Sequence, residues 1–434
     1  MDKTGWGWVQ GQLRWLRPGL GVKRWLLLLV MGATLVGLAA AIVLLDLYQA
    51  AQSPLAAGAL ALPLLPPLAW VLLLGGLGIV LMVVAVARIQ QVLLAPFVRP
   101  GQDVASAVSE HRRRGRGPKI VAIGGGTGLS TLLRGLKAHT ANLTAIVTVA
   151  DDGGSSGRLR QTLGVLPPGD FRNCIAALAD DEALTTQLFQ YRFGGDEGLG
   201  GHSFGNLFIS AMAEVAGSFE RALVESSRVL AIRGQVLPST LRNVTLVGEL
   251  AVEGAAVSRV EGESRIPLAS GAIQRVYLQP EDVPAYPAAI KALLEADLIV
   301  LGPGSLYTSL LPNLLVPDLA AAIAASRALK VYVSNTATQP GETDGYSVLD
   351  HVNAIERHTQ PALFPVVLAN NRQQGRLLPR LKWVPVDPPV NGTRRLVLAD
   401  LADNERPWRH DSAKTAAALI NLLTQAEAER AQAV

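Results

Sequence analysis

One cysteine, Cys174, is all the thiol chemistry this 434-residue chain contains. No internal disulfide can form, and the six scattered histidines build no Cys/His cluster at zinc-ligand spacing. Both absences fit a reducing compartment. Charge is also scarce: 17% of residues are charged against 49% hydrophobic, too apolar a balance for one ordinary soluble domain. Internal repeats are missing, and low complexity is confined to an alanine-rich tail.

The apolar excess sits in two runs. From Trp25 to Leu45, "WLLLLVMGATLVGLAAAIVLL" carries no charge and is long enough to cross a bilayer as a helix. A second run, "LAWVLLLGGLGIVLMVVAVA", covers Leu68 to Ala87. The spans are paired, and each is longer than a signal-peptide core, so they read as a transmembrane hairpin. Twelve of the 39 lysines and arginines fall before residue 120, flanking the spans and avoiding the loop between them. The positive-inside rule then places both ends in the cytoplasm. Trp6, Trp8, Trp15 and Trp25 suit the inner interface. Only four of the 35 acidic residues precede residue 120, so the remainder is slightly acidic and a nucleic-acid partner is not expected. The expected organisation is a basic N-terminus over 1–24, the hairpin over 25–87, a basic linker over 88–118 and a nucleotide-binding domain over 119–434.

In the last segment, short apolar β-branched runs alternate with helical ones. "KIVAIGG", "LSTLLRGLKAH" and "NLTAIVTVADD" form a βαβ unit, and "ADLIVLGPGS", "LKVYVSNTATQ" and "LFPVVLANN" repeat the strand-then-loop pattern. "LFISAMAEVAGSFERALVESSRVLAI" reads as helix, and the C-terminal helix takes Asp411 or Ser412 as its N-cap. Residues 241–280 look like an inserted antiparallel patch. The fold class is α/β, a Rossmann-like doubly wound, mostly parallel sheet preceded by two transmembrane helices.

The glycines in "GGGTG" carry the first chemistry. At a strand-to-helix turn, Gly124, Gly125, Gly126, Thr127 and Gly128 expose backbone N–H groups beside a helix N-terminus, a natural seat for a diphosphate. Leu129 replaces the third glycine of G-x-G-x-x-G, and the Lys-Ser/Thr of a P-loop is absent, so NAD and ATP hydrolysis fit poorly. Asp151 and Asp152 end the next strand, where they suit ribose hydroxyls or a Mg²⁺. Ser155 and Ser156 offer donors and Arg158 a charge. "LPPGDFRNC" adds Asp170, Arg172 and Asn173, and "GGHSFGNLF" adds His202 and Asn206. Gly302, Gly304 and Ser305 form a second phosphate cradle, followed by Asn335. Glycine-rich polar loops at strand ends can converge on one crevice.

Together "GGGTGLSTLLRGLK", "VTVADDGGSSGRLR", "LPPGDFRNC", "GHSFGNL", "GPGSLYTSLLPNLL" and "NTATQPGET" resemble the YvcK, or gluconeogenesis-factor, family of the CofD-like superfamily. That resemblance implies a Rossmann-like fold, binding of UDP-sugars such as UDP-N-acetylglucosamine, and a role in cell shape, cell-wall homeostasis and growth on gluconeogenic carbon. A resident cofactor is not implied. A homo-oligomer and cell-wall regulatory proteins remain open as partners. Family members are generally soluble; the first 118 residues depart from that and point to the inner membrane, with the functional domain in the cytoplasm. The superfamily also contains 2-phospho-L-lactate transferase. A transferase would need a base or charge stabiliser, for which Asp170 and His202 are the candidates. A third alternative is a scaffold whose nucleotide site is vestigial and filled.

Overall fold

The computed structural model describes residues 22–52, 67–94, 115–179, 182–195, 198–252, 254, 256–387 and 394–432. The chain divides into two compact units, one running to Arg112 and one starting at Arg113.

In the first unit, α1 (Lys23–Gln52) and α2 (Pro67–Leu94) pack against each other. Both outlast the uncharged runs read from sequence. They contain apolar spans Lys23–Tyr48 and Leu68–Val92, with mean hydropathy 2.6 and 2.7, long enough to cross a membrane. Gly32 and Gly78 sit where the helices touch. A Cβ on either would lie 2.7 Å from the other's carbonyl oxygen, so glycine permits this approach. Leu27, Val30, Leu44, Leu72 and Val83 point outward instead, as lipid-facing side chains would. Trp25 lies between the guanidinium groups of Arg24 and Arg88, at 5.1 and 5.6 Å. Trp6, Trp8 and Trp15 lie outside the described residues, as do 53–66 and most of the basic linker.

The second unit is built on a seven-stranded sheet in which every pair is parallel: β1 (Ile120–Gly124), β2 (Leu143–Val147), β3 (Gln235–Pro238), β7 (Leu298–Leu301), β8 (Leu329–Val333), β9 (Val366–Asn370) and β10 (Arg395–Ala399). Between β3 and β7 lies the expected antiparallel patch, a three-stranded sheet of β4 (Thr245–Ala251), β5 (Ser258–Glu261) and β6 (Ala272–Gln279). β1, β2, β7 and β9 are buried along their whole length, which is why they read as unbroken apolar runs rather than alternating ones.

The spatial order is β10-β9-β8-β7-β1-β2-β3. From β1 the chain winds outward through β2 and β3, then returns to β7 and winds the other way. The reversal falls between β1 and β7. In open α/β sheets, the crevice beyond the strand ends at such a reversal is where ligands bind.

Helix α3 (Gly126–Leu136) buries Leu129, Leu132, Leu133 and Leu136 on the sheet. It starts three residues before the leucines suggest, because Gly126 already enters the first turn. Its interior Gly135 abuts the C-terminal helix: a Cβ there would lie 1.9 Å from the Ser412 carbonyl oxygen. Helices α4 (Gly154–Leu163) and α5 (Gly169–Leu178) follow β2. The long helix expected after residue 206 is two, α6 (Phe204–Ala216) and α7 (Phe219–Val229). Gly217 takes φ +78° between them, and Ser218 caps the second by accepting from the Arg221 N–H. The C-terminal helix α8 (Ser412–Gln432) has Asp411 as N-cap, whose Oδ1 accepts from the Lys414 N–H at 2.8 Å.

Residues 115–118 belong to this unit. Asn142 Nδ2 donates to the carbonyls of Gly115 and Gly117 at 3.2 and 2.7 Å, and Thr140 Oγ1 donates to that of Pro118 at 2.9 Å.

Candidate functional site

A crevice of about 600 Å³ opens along the C-terminal ends of the strands, inside the size range of small-molecule sites. Its floor is the β1–α3 turn. Gly125 is the N-cap and has no side chain to cap with; Gly126 takes φ +62°, a left-handed conformation that glycine adopts without strain. The bareness of this turn has two further causes. A Cβ on Gly125 would fall 2.5 Å from Asp170 Oδ2, and one on Gly128 would fall 2.3 Å from the Pro303 carbonyl oxygen. The β1 and β7 turns therefore touch backbone to backbone at the reversal of strand order.

The second wall is the β7 turn, with Gly304, Ser305, Thr308 and Ser309. It is braced by the loop after β8. Asn335 Nδ2 donates to the Gly304 carbonyl at 2.9 Å, and Gln339 Nε2 donates to Ser305 Oγ at 2.6 Å. Glu342 is buried and accepts from Thr308 Oγ1 at 3.1 Å and from the Tyr307 N–H at 3.2 Å. Asn335 thus lines the crevice but spends its amide on joining two loops.

Carboxylates gather around this floor. Asp170, in the first turn of α5, accepts from the Gly126 N–H; burial, reinforced by Asp151, pushes its pKa up to about 7. Asp151 accepts from the Gly153 N–H at 2.9 Å and is likewise raised, chiefly by burial. Glu263, carried in by the antiparallel patch, is pushed up to about 8 by burial and then by Asp151 and Asp170. Near neutral pH Asp170 and Glu263 are partly protonated, so they can donate hydrogen bonds to hydroxyl or phosphate oxygens instead of only repelling an anion. Leu381, Trp408, Arg409 and His410 also line the crevice, His410 docking on the Ser334 carbonyl beyond β8.

Of the residues singled out from sequence, Gly125, Gly126, Thr127, Gly128, Asp151, Asp170, Gly304, Ser305 and Asn335 line the crevice. The others stand behind it. Gly124 closes β1, its carbonyl accepting from Asn313 Nδ2 at 3.1 Å, and Gly302 donates its N–H to the Ile123 carbonyl at 2.9 Å. Asp152 turns away and accepts from the Ser264 N–H at 2.9 Å, fastening the loop that carries Glu263. Ser155 Oγ lies 3.0 Å from both His202 Nδ1 and Asn206 Nδ2, and Ser156 supports Asp151. Arg158 holds the Gly200 carbonyl at 2.9 Å; Arg172 bonds Ser203 Oγ at 2.6 Å and Asn173 Oδ1 at 3.0 Å. These polar groups bond one another beside the turn that presents Asp151, leaving Arg172 Nε and Asn206 Oδ1 as buried atoms with no partner among the described residues. Among the described residues, no three His, Cys, Asp or Glu side chains form a metal-ligating group. A Mg²⁺ in the crevice would rest on Asp151, not on Asp152, and would draw its other ligands from the bound molecule and water.

Glu263 and Trp408–His410 escape a sequence reading. Glu263 lies in the loop that joins β5 to β6, distant in sequence from the motifs. The signal for the other group is weak but present: "RPWRHDS" is a polar, aromatic loop immediately before a capped helix.

A parallel sheet with a reversed winding and two glycine turns meeting at the reversal define a Rossmann-like α/β protein. A family model described as "2-phospho-L-lactate transferase CofD" matches residues 120–423, and the chain belongs to this CofD family. Within it, the chain is similar to gluconeogenesis factors. A Nostoc sp. member is 55% identical over 376 residues, covering 84% of this chain and 80% of that protein. The Bacillus subtilis gluconeogenesis factor is 45% identical over 320 residues, 72% of this chain and 100% of the relative. A crystal structure of a UPF0052 family protein from Bacillus halodurans superimposes with a TM-score of 0.65 at 43% identity, over 69% of this chain and 99% of that one.

Proposed function

We propose that this protein is a membrane-tethered, cytoplasm-facing binder of a nucleoside-diphosphate sugar, of the UDP-N-acetylglucosamine type, which serves as a regulator of cell shape, cell-wall homeostasis and growth on gluconeogenic carbon. The observation that carries the reading is the meeting of two glycine turns and the α3 N-terminus at the reversal between β1 and β7. The diphosphate lies on the N–H groups of that turn. The sugar takes the acid-lined end, where partly protonated Asp170 and Glu263, with Asp151 beside them, meet its hydroxyls. The crevice is open rather than filled, which speaks against a vestigial scaffold. Calorimetry on the full chain in nanodiscs is expected to give saturable, stoichiometric binding of UDP-N-acetylglucosamine. No heat with UDP-sugars alongside tight binding of GDP derivatives would overturn the reading.

One observation favours transfer chemistry as a second reading. Asp170 titrates near neutrality beside the floor of the crevice, as a general base should. Turnover of a phospholactyl-type donor would promote it.

For the tether, we infer that α1 and α2 cross the inner membrane with both chain ends in the cytoplasm. A reporter fused after Arg116 is then active in the cytoplasm, and one fused near Ser53 reports the outside. The reverse pattern would refute the orientation.

A further inference from the structure

His410 lies in the loop between β10 and α8 and lines the crevice by the end of β8, with β7 and β1 between it and the strand that leads to Asp151. Nε2 is 3.1 Å from the Ser334 carbonyl oxygen at the end of β8. A carbonyl only accepts, so Nε2 carries the proton. Burial holds the ring's pKa down at about 4, so the second nitrogen is unprotonated across the physiological range. Nδ1 makes no hydrogen bond among the described residues. The ring is thus a fixed tautomer with a single acceptor left over. β8 is two strands from β1, which puts this acceptor roughly 10 Å along the sheet edge from the phosphate turn. That is about the reach from a diphosphate across a ribose to its base. Trp408, lining the same end, offers a broad apolar face.

We propose that Trp408 and His410 form the base-recognition end of the crevice, Trp408 covering the ring and His410 Nδ1 accepting from a ring N–H of the base. The proposal rests on the nucleotide reading above and fixes the ligand's direction: base toward His410, sugar toward Asp170. It also sorts bases. Uracil N3 and guanine N1 carry a hydrogen and satisfy Nδ1. Cytosine N3 and adenine N1 present a lone pair to another lone pair, leaving both buried acceptors unsatisfied.

The test is calorimetry on the full-length protein with UDP, GDP, CDP, ADP and N3-methyl-UDP. UDP and GDP are expected to bind at least about tenfold tighter than CDP and ADP, and N3-methylation should weaken UDP by a similar factor. His410→Asn, whose amide can present either a donor or an acceptor, should narrow the UDP–CDP ratio to about threefold or less while UDP still binds. Equal affinity for UDP, CDP and N3-methyl-UDP in the unaltered protein overturns the base assignment and leaves the nucleotide reading standing. Failure of all five to bind overturns both.

Discussion

Replacing Gly128 with alanine is expected to abolish nucleotide binding. The added Cβ would sit 2.3 Å from the Pro303 carbonyl oxygen, 2.8 Å from its carbonyl carbon and 3.1 Å from Gly304 Cα. All three are backbone atoms, so no rotamer change relieves the clash. The β1 and β7 turns must separate, and the floor they share opens. Overpacking of this kind destabilises by about 1–3 kcal/mol, and a floor displaced by an ångström loses most of its phosphate contacts. Calorimetry should show at least about a hundredfold loss of affinity, with a lower thermal midpoint. Gly194→Ala is the control, because a Cβ there would meet nothing within 4 Å and its φ is not in the left-handed range. Wild-type affinity in Gly128→Ala would refute the phosphate assignment of this turn.

Asp170→Asn should stabilise the protein in mild alkali. The folded-state pKa is raised from 3.8 to about 7. Stability from the protonated form is therefore fully present below about pH 4 and is lost as pH rises through 7. Asparagine mimics that protonated form and keeps an oxygen for the Gly126 N–H. The expected gain at pH 8 is about 1–3 kcal/mol, a rise of several degrees in Tm, shrinking to nothing near pH 4. Ligand binding should respond in the same direction: wild-type affinity for a diphosphate falls between pH 6 and 8, and the variant has a shallower slope. Glu263, pushed up to about 8, keeps part of it. A variant less stable than wild type at pH 8 would contradict the buried-acid account.

The parallel core was legible because strands buried on both faces write themselves as unbroken runs such as "IVAIG" and "LIVL". β3 and β10 were not. β3 is four residues ending in Pro238, and β10 is an edge strand with half-exposed residues, so neither has a distinctive pattern. In the site, the glycine turns and Asp170 were readable because local sequence sets their geometry. His202, Asn206, Ser155 and Arg172 looked equally apt for a ligand, yet they pair with each other or with their neighbours. Sequence shows a polar group but not whether a neighbour has already claimed it. Glu263 and His410 reach the crevice through tertiary placement, one on the loop joining β5 to β6 and the other on the loop after β10 that docks at the end of β8.

The reversal of strand order also sets a timetable for synthesis. Ile120 pairs with Leu143 on one side and with Leu298 on the other. The first partner is nearby in the chain, whereas the second is made roughly 180 residues later, about 10 to 35 seconds at ordinary translation rates. Until then the central strand has one bare edge, ready to pair with any other extended chain. A ribosome stalled before β7 would thus hold an incomplete sheet with one edge of its fully apolar central strand uncovered. Pauses placed before residue 298 should raise aggregation far more than pauses placed after β8.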